Sequence, residues 1–190
     1  MREIYYILMV SLDGFIEGPN GELGWSEPSE ELHQHFNDLY ATGEIDTSLY
    51  GRRLYELMAG YWPTINESSQ VPDVELEFAR LWKKHPKIVF STTLDKVNWN
   101  AELKRSVDPE EIRALKKEPG TNMDVGGANL AASFMRYGLI DEFRLYVHPV
   151  ILGGGTPMFP RDVKLKFKCV ETRTFDGDVV MLRYRLAETV

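Results

Sequence analysis

Apolar residues fall into short runs along the chain, and these runs predict the strands of a sheet. Residues 4–10 are apolar without interruption and rich in β-formers, as expected of a strand that is buried on both faces. Further strands, with polar residues among the apolar ones, are predicted at residues 45–50, 87–90, 122–125 and 141–147.

Between these runs, apolar residues recur at intervals of three or four, which predicts amphipathic helices. Ser29 and Asp73 each precede such a segment and are predicted to cap it. In the last helix Leu130, Phe134 and Tyr137 fall on one face, and Gly138 ends it. The predicted helices cover residues 29–40, 51–58, 73–84, 108–117 and 128–137.

The last part of the chain predicts two strands of a hairpin, residues 164–175 and 179–187, joined by Asp176-Gly177. Strands that alternate with helices and end in a hairpin predict a three-layer α/β fold with a mainly parallel central sheet and an antiparallel C-terminal hairpin. We expect residues 1–190 to form a single domain. The pattern does not give the order of the strands. Cys169 lies in the alternating part of the hairpin and is predicted to be a small core residue.

Charge and composition narrow the function. The chain has 190 residues and a net charge of −7, which argues against general nucleic-acid binding because that needs a basic surface. A single cysteine fits a reducing compartment. No segment has the apolar length of a membrane span, and the N-terminus lacks the pattern of a signal peptide. We therefore expect a cytoplasmic protein.

Three predicted strands end in residues that suit an anionic ligand. One ends in Gly51-Arg52-Arg53, one in Ser91-Thr92-Thr93 and one in Gly126-Gly127. Ligands of open α/β sheets lie across the carboxyl ends of the strands, and a glycine before a helix lets a phosphate approach the free N–H groups. Arginines beside hydroxyls suit a ribose 2′-phosphate, hence NADP. Alternatively, the arginines are solvated and the hydroxyls only cap turns.

Motifs of other chemistries are missing from the sequence. It contains no G-x-G-x-x-G, G-x-x-x-x-G-K-[ST], G-x-S-x-G or H-E-x-x-H. His33 and His35 are two residues apart and so do not share a helix face, while His85 and His148 each precede a proline and are expected to be structural. We expect no metal site.

Five motifs occur in a characteristic order along the chain. They are Ser11-Leu12-Asp13-Gly14-Phe15-Ile16, Tyr50-Gly51-Arg52-Arg53-Leu54-Tyr55-Glu56, Phe90-Ser91-Thr92-Thr93, Gly126-Gly127-Ala128-Asn129-Leu130 and His148-Pro149-Val150-Ile151-Leu152-Gly153-Gly154-Gly155. With these motifs the chain resembles the dihydrofolate-reductase-like superfamily, and specifically stand-alone proteins similar to the C-terminal reductase domain of the riboflavin-biosynthesis deaminase–reductase, RibD. The resemblance covers nearly the whole chain.

This resemblance implies an NADPH-binding fold that usually forms a homodimer. It places two segments near the adenosine phosphate end of the cofactor and one around the pyrophosphate. The adenosine-end residues are Gly51, Arg52, Arg53, Ser91, Thr92 and Thr93, and the pyrophosphate residues are Gly126, Gly127, Ala128, Asn129 and Leu130. The segment 20–25 is similar to the dihydrofolate reductase loop that closes over nicotinamide, with Gly24 in place of a proline.

The substrate side departs from the riboflavin pathway. Ile7 and Val125 stand where those reductases carry a lysine and a glutamate, which puts the phosphoribosylaminouracil substrate in doubt. Glu31, or Glu30 after a shift of one residue, is nearest to the acid that binds the pterin in dihydrofolate reductases. The alternative is that Glu31 only complements the helix dipole.

The sequence therefore predicts an NADPH-dependent reductase of a small heterocycle. Asp13 and Glu31 are the candidates for orienting the substrate or relaying a proton, and Trp25, Tyr61 and Trp62 for walling the pocket. A carboxyl group walled by aromatic rings has its pKa raised, which suits a general acid. Asp13 alternatively only braces the turn before Gly14. The alternative function is a non-catalytic NADP(H)-binding or regulatory protein that kept the cofactor groove.

Overall fold

The chain alternates strands and helices, as a computed structural model that describes residues 1–187 shows. The strands are β1 (Ile4–Ser11), β2 (Phe15–Glu17), β3 (Ile45–Gly51), β4 (Lys87–Phe90), β5 (Ala101–Lys104), β6 (Asn122–Gly126), β7 (Glu142–His148), β8 (Thr156–Pro157), β9 (Phe167–Phe175) and β10 (Val179–Leu186).

The helices lie between these strands. They are α1 (Glu30–Ala41), α2 (Arg52–Tyr61), α3 (Asp73–Lys84), α4 (Pro109–Leu115) and α5 (Ala128–Arg136). Single 3₁₀ turns lie at Gly24–Ser26 and Trp62–Thr64. Ser29 caps α1 as predicted, because its hydroxyl accepts a hydrogen bond from the backbone N–H of Leu32.

Eight strands form one sheet in the order β5-β4-β3-β6-β1-β7-β10-β9. The pairs from β5 to β7 are parallel, while β10 pairs antiparallel with both β7 and β9. A small antiparallel sheet of β2 and β8 lies beside it. The predicted fold class, a mainly parallel sheet with an antiparallel C-terminal hairpin, is thus confirmed.

The core lies on both faces of this sheet. The largest buried cluster packs α5 against the central strands through Phe134, Leu130 and Ile4, and a second cluster packs Leu32 of α1 against Tyr146 of β7. These layers fix the carboxyl ends of β4, β3, β6, β1 and β7 along one edge of the sheet.

Two local predictions were wrong, and one strand of the main sheet was missed. Cys169 is exposed because β9 is an edge strand, so its side chain does not enter the core. Of the three residues that the spacing placed on one face of α5, Leu130 and Phe134 are buried, and Tyr137, the residue after the end of the helix, is exposed. Pro72 rather than Asp73 is the N-cap of α3, and Asp73 is the first helical residue. The strand β5 was not predicted at all.

Candidate active site

The carboxyl ends of three neighbouring strands bring the predicted cofactor segments together. Gly51 at the end of β3 pairs with Phe90 of β4, and Tyr50 pairs with Gly126 of β6. Ser91 follows directly after Phe90. The three segments that the sequence analysis chose for anion binding therefore lie side by side at one edge of the sheet.

Two helices begin at this edge with glycine as the N-cap. Gly51 caps α2 and Gly127 caps α5, and neither helix has a side-chain cap or an acidic residue in its first turn. A Cβ atom added to Gly127 would lie 3.8 Å from the backbone nitrogen of Gly51, so the two helix starts are adjacent. Free N–H groups and the positive ends of two helix dipoles converge there, which suits a phosphate.

The glycines before α5 have different structural tasks. Gly126 is buried, and an added Cβ would overlap the Leu54 side chain and crowd the Tyr50 ring. Gly127 has a φ of +95° with ordinary space around it, so its backbone conformation is what requires glycine. Behind it, Ala128 is half-buried, Asn129 is exposed and Leu130 is buried in the core.

The two arginines of α2 have different partners. Arg52 lies 3.8 Å from Glu56 within the same helix, a loose contact between two exposed groups. Arg53 lies 3.1 Å from Glu17 of β2, and the hydroxyl of Thr156 also donates to that carboxylate, at 3.0 Å. Arg52 is therefore the less engaged cation at the helix start, while Arg53 is turned toward the segment 17–21.

The hydroxyl segment after β4 is held by its own turn. The Ser91 hydroxyl accepts hydrogen bonds from the backbone N–H groups of Thr93 and Leu94, at 3.1 and 3.0 Å. Arg105, just after β5, donates to the carbonyl oxygens of Ser91 and Leu94. Ser91 thus caps a turn, as the alternative in the sequence analysis had it, while Thr92 and Thr93 are exposed. Arg105 is a third basic residue at this edge that the sequence analysis missed; the basic pair 104–105 was the available signal.

Asp13 links the end of β1 to the glycine-rich loop. Its carboxylate accepts hydrogen bonds from the Ser11 hydroxyl at 2.7 Å and from the backbone N–H groups of Leu152 and Gly153 at 3.1 and 2.7 Å. These bonds, that of Ser11 foremost, lower the pKa of Asp13 below its usual value. The expectation of a raised pKa was wrong for Asp13, because its side chain is exposed and hydrogen-bonded.

Glu31 is engaged in the same manner at the start of α1. It accepts hydrogen bonds from the backbone N–H of Asp176, in the turn of the β9–β10 hairpin, and from the guanidinium of Arg173, both at 2.9 Å. The Asp176 N–H and then Arg173 lower the pKa of Glu31, so a raised pKa was wrong here as well. Its carboxylate fastens the hairpin turn to α1.

The three predicted pocket aromatics have different surroundings. Trp25 stands edge-on against the ring of His148, with 5.5 Å between ring centroids. Trp62, beyond the end of α2, packs on His33 and Phe78 and is partly a core residue. Tyr61 is exposed and donates a hydrogen bond to Glu75, which raises the pKa of its hydroxyl.

A cleft of about 540 Å³ opens beside Arg53 in the first turn of α2. Its lining combines the Arg53–Glu17 pair with backbone of two loops. The lining residues are Glu17, Gly18, Pro19, Asn20, Gly21, Arg53, Gly155 and Thr156. A hollow of about 670 Å³ at residues 168–170 and 185–187 lies at the amino edge of the sheet, because Arg185 pairs with Glu142 at the start of β7, and it takes no part in this site.

Residues 1–187 hold no group of three or more histidine, cysteine, aspartate or glutamate side chains that could bind a metal ion. None of the helices within the same residues is long and apolar enough to cross a bilayer.

The sequence profile described as "RibD C-terminal domain" matches residues 2–181. The chain belongs to this family. The chain is also similar to the uncharacterized protein YyaP of Bacillus subtilis (strain 168). The two sequences are 41% identical over 186 residues, and the match covers 96% of this chain and 94% of YyaP.

Solved structures share the fold of this RibD C-terminal-like protein. A protein from Shewanella sp. PV-4 named for riboflavin biosynthesis has a TM-score of 0.74 at 21% identity, covering 99% of this chain and 100% of its own. Dihydrofolate reductase from Enterococcus faecalis, complexed with NADP(H) and RAB-propyl, has a TM-score of 0.63 at 18% identity, covering 98% and 97%. At these identities the likeness shows a dihydrofolate-reductase-like fold, as the sequence motifs implied.

Proposed function

We propose that this protein is an NADPH-dependent reductase of a small heterocycle of the pyrimidine or pterin kind. The observation that carries the proposal is the meeting of two glycine-capped, otherwise uncapped helix N-termini beside Arg52 at the carboxyl edge of the sheet. Support comes from the family and from the Enterococcus reductase of the same fold, which is complexed with NADP(H). A cytoplasmic location and a homodimer are part of the proposal.

The residues of this edge fit the anionic part of such a cofactor. Gly127 and the first turn of α5 would hold the pyrophosphate through backbone N–H groups. Arg52 would hold the 2′-phosphate, because the one ion pair that it forms within residues 1–187 is loose, whereas Arg53 is engaged by Glu17. When bound, the nicotinamide supplies the hydride, and the protein contributes position and shielding from water.

Neither predicted proton donor is poised as an acid. Asp13 and Glu31 both have lowered pKa values and accept hydrogen bonds from backbone N–H groups, so both are carboxylates near neutral pH. Asp13 and Glu31 therefore stay candidates for orienting the substrate, but not for donating a proton to it. The same observation favours the second candidate function, a non-catalytic NADP(H)-binding protein.

Calorimetric titration with NADPH and NADH tests the cofactor assignment. We expect NADPH to bind more tightly, and Arg52→Ala to remove most of this preference with a loss of about tenfold or more, since a charge-assisted phosphate contact contributes roughly 1.5–3 kcal/mol. Arg53→Ala should change the preference less. Arg80→Ala is the control, because Arg80 is an equally exposed arginine paired with Glu67 at 3.1 Å on α3. Equal affinities for the two cofactors would reject the assignment.

Turnover separates the two candidate functions. Loss of NADPH absorbance is followed with a panel of pterins, pyrimidines and quinones. Oxidation that depends on a heterocycle supports the reductase. Tight NADPH binding without turnover on any of them would favour the non-catalytic protein.

A further inference from the structure

His148 presents a buried ring nitrogen that has no partner. It is the last residue of β7, at the same carboxyl edge as the cofactor segments, and it is 4% exposed. Its Nε2 atom finds no hydrogen-bond partner within residues 1–187. Buried polar atoms are nearly always hydrogen-bonded, so an orphan beside a site requires an explanation.

The surroundings of His148 place it on the substrate side of the edge. It pairs in register with Ser11 of β1, two residues before Asp13. The next residue on the same face of β7 is Tyr146, which packs under α1, so His148 lies toward the start of that helix. The Trp25 indole stands edge-on against the His148 ring.

Trp25 is held beside His148 by few local interactions. It sits in a 3₁₀ turn of three residues that has no side-chain cap, and its indole N–H donates one hydrogen bond, to the carbonyl of Glu22. Trp25 lies outside the strands of the main sheet and outside α1 to α5, so a movement of its ring would break no hydrogen bond of those elements.

Two other histidines provide a comparison. His35 on α1 is satisfied, because its Nε2 lies 2.7 Å from the Tyr146 hydroxyl. His85 is also buried with an unpartnered Nε2, but it precedes β4 at the amino edge of the sheet, where it packs on Tyr40. His148 therefore combines an unpartnered nitrogen with the functional edge, and His85 is its matched control.

We propose that Nε2 of His148 is a substrate-binding group that hydrogen-bonds to the lactam edge of the heterocycle once the Trp25 ring has moved aside. The inference rests on the proposed function and names the residue that recognises its substrate. A neutral imidazole has one donor and one acceptor nitrogen, and a lactam offers both an N–H and a carbonyl oxygen, so either tautomer finds a partner. Burial lowers the pKa of His148, which keeps the ring neutral near neutral pH.

The first test observes the ring directly. The protein is prepared with isotope-labelled histidine rings, saturated with NADP⁺ and titrated with folate, pterin and aminouracil, and the His148 resonances are assigned with His148→Gln. We expect at least one of these heterocycles to shift the Nε2 resonance of His148 and leave that of His85 in place. If none of them shifts it, the inference is overturned.

The second test uses substitutions that separate binding from stability. His148→Phe removes an unpaired polar atom, so the melting temperature should stay or rise, while the Kd of the heterocycle should rise about tenfold and that of NADPH should not change. His148→Gln keeps a donor and an acceptor and should bind with intermediate affinity. His85→Phe should leave the Kd of the heterocycle unchanged. If His148→Phe does not fold, the proposal is tested by the Kd of the heterocycle for His148→Gln and by the shift of the His148 resonance in the wild-type protein.

Failure of the inference differs from failure of the proposed function. Wild-type protein that oxidises NADPH with a heterocycle whose Kd is the same in His148→Phe overturns the role of His148 and leaves the reductase standing. Wild-type protein that fails to bind NADPH rejects the proposed function, whereas a heterocycle that shifts the His148 resonance would still support this binding site.

Discussion

Asp124 is a buried acidic residue on the central strand β6, two residues before Gly126. Its Oδ1 accepts a hydrogen bond from the Ser48 hydroxyl at 2.5 Å, and the carboxyl is buried. Burial raises its pKa to about 6, against the opposing effect of Ser48 and a weaker one of Lys87. The group thus titrates in the folded protein at a higher pH than in the unfolded chain.

The raised pKa predicts the sign of a pH effect on stability. Between about pH 4 and 6 the folded state holds the Asp124 proton that the unfolded state has lost, so this group destabilises the fold as the pH rises through that window, by about 3 kcal/mol in all. Asp124→Asn removes this dependence. We expect the difference in unfolding free energy, variant minus wild type, to rise from pH 4 to 6 and to be flat above it in urea titrations.

A control of opposite sign checks the measurement. Asp162 is exposed, and its hydrogen bond with Arg136 lowers its pKa. Its stabilising effect is present above the unfolded pKa and is lost as the pH falls below about 4, so in that lower range the difference for Asp162→Asn should change with pH in the opposite direction. A flat difference for Asp124→Asn from pH 4 to 6 would contradict the assignment of a raised pKa.

Gly127 permits a second prediction at the scale of single residues. An alanine side chain fits in the space, but the φ of +95° is unfavourable for it, so Gly127→Ala should displace the first turn of α5. We expect weaker binding of NADPH and NADH alike, measured by calorimetry, in contrast to Arg52→Ala.

Gly138→Ala is the matched control at the other end of the helix, with a φ of +62° and open space. It should lower stability by about 1 kcal/mol and leave both affinities unchanged. Normal cofactor binding by a folded Gly127→Ala would place the phosphate elsewhere.

At the scale of elements, two carboxylates join parts that are distant in sequence. Asp13 fastens the segment 152–153 to the end of β1, and Glu31 fastens the turn of the β9–β10 hairpin to the start of α1. Both connections border the candidate site. They position the glycine-rich loop and the hairpin relative to the edge of the main sheet.

The loop connection predicts a local change in dynamics. Asp13→Ala removes the acceptor of the Leu152 and Gly153 N–H groups, so these amides should exchange with solvent faster, and Asp13→Asn should have a smaller effect because it keeps one acceptor oxygen. Glu22→Ala, which removes another exposed and hydrogen-bonded carboxylate from a neighbouring loop, should leave them unchanged. Loss of turnover in Asp13→Asn without faster exchange would instead indicate a chemical role for Asp13.

At the scale of the whole molecule, the two edges of the main sheet differ in kind. At the amino edge the fully buried Glu142 accepts hydrogen bonds from Arg144, Arg183 and Arg185, which joins the antiparallel hairpin to the parallel strands. The carboxyl edge carries glycines, hydroxyls and the loosely held Arg52. The amino edge is therefore held by a buried cluster of compensating charges, whereas the two uncapped helix starts and Arg52 lie at the carboxyl edge.

Exposed apolar side chains near the carboxyl edge support the homodimer that we propose. Ile151 is 72% exposed and Leu12 is 61% exposed, and the Leu12 N–H donates to the carbonyl of Val150 at 2.8 Å. A two-fold axis would bring this patch against its own copy. The hydrophobic core of the same chain does not cover the Ile151 side chain.

Light scattering tests the dimer and its location. We expect a mass twice that of the chain at micromolar concentration. Ile151→Asp should shift the protein toward monomer, because a carboxylate buried in an apolar interface costs several kcal/mol or is forced to bind a proton. Val170→Asp, at an exposed apolar position on the edge strand β9, is the control and should have no effect. A monomer mass for the wild-type protein would reject the dimer. If Val170→Asp shifts the mass toward monomer and Ile151→Asp does not, the interface lies at the edge strand β9.

The sequence by itself determined most of the elements and the type of fold. Continuous apolar runs gave β1 and β4, three- and four-residue spacing gave α1 and α5, and Asp176-Gly177 gave the hairpin, because these patterns depend on which faces of a segment are buried. β5 was missed because it is a short edge strand with exposed positions, and Cys169 was misplaced because an alternating pattern does not say whether a strand has a second neighbour.

Only the tertiary structure decided what the site residues contact. The strand order made Gly51, Ser91 and Gly127 neighbours, and it placed the hairpin turn against Glu31 and the glycine-rich loop against Asp13. The last two contacts join residues more than a hundred positions apart, and a local pattern of apolar and polar residues carries no information about such partners. For the same reason His148 looked structural in the sequence, and only the packed fold left its ring nitrogen buried and without a partner beside Trp25.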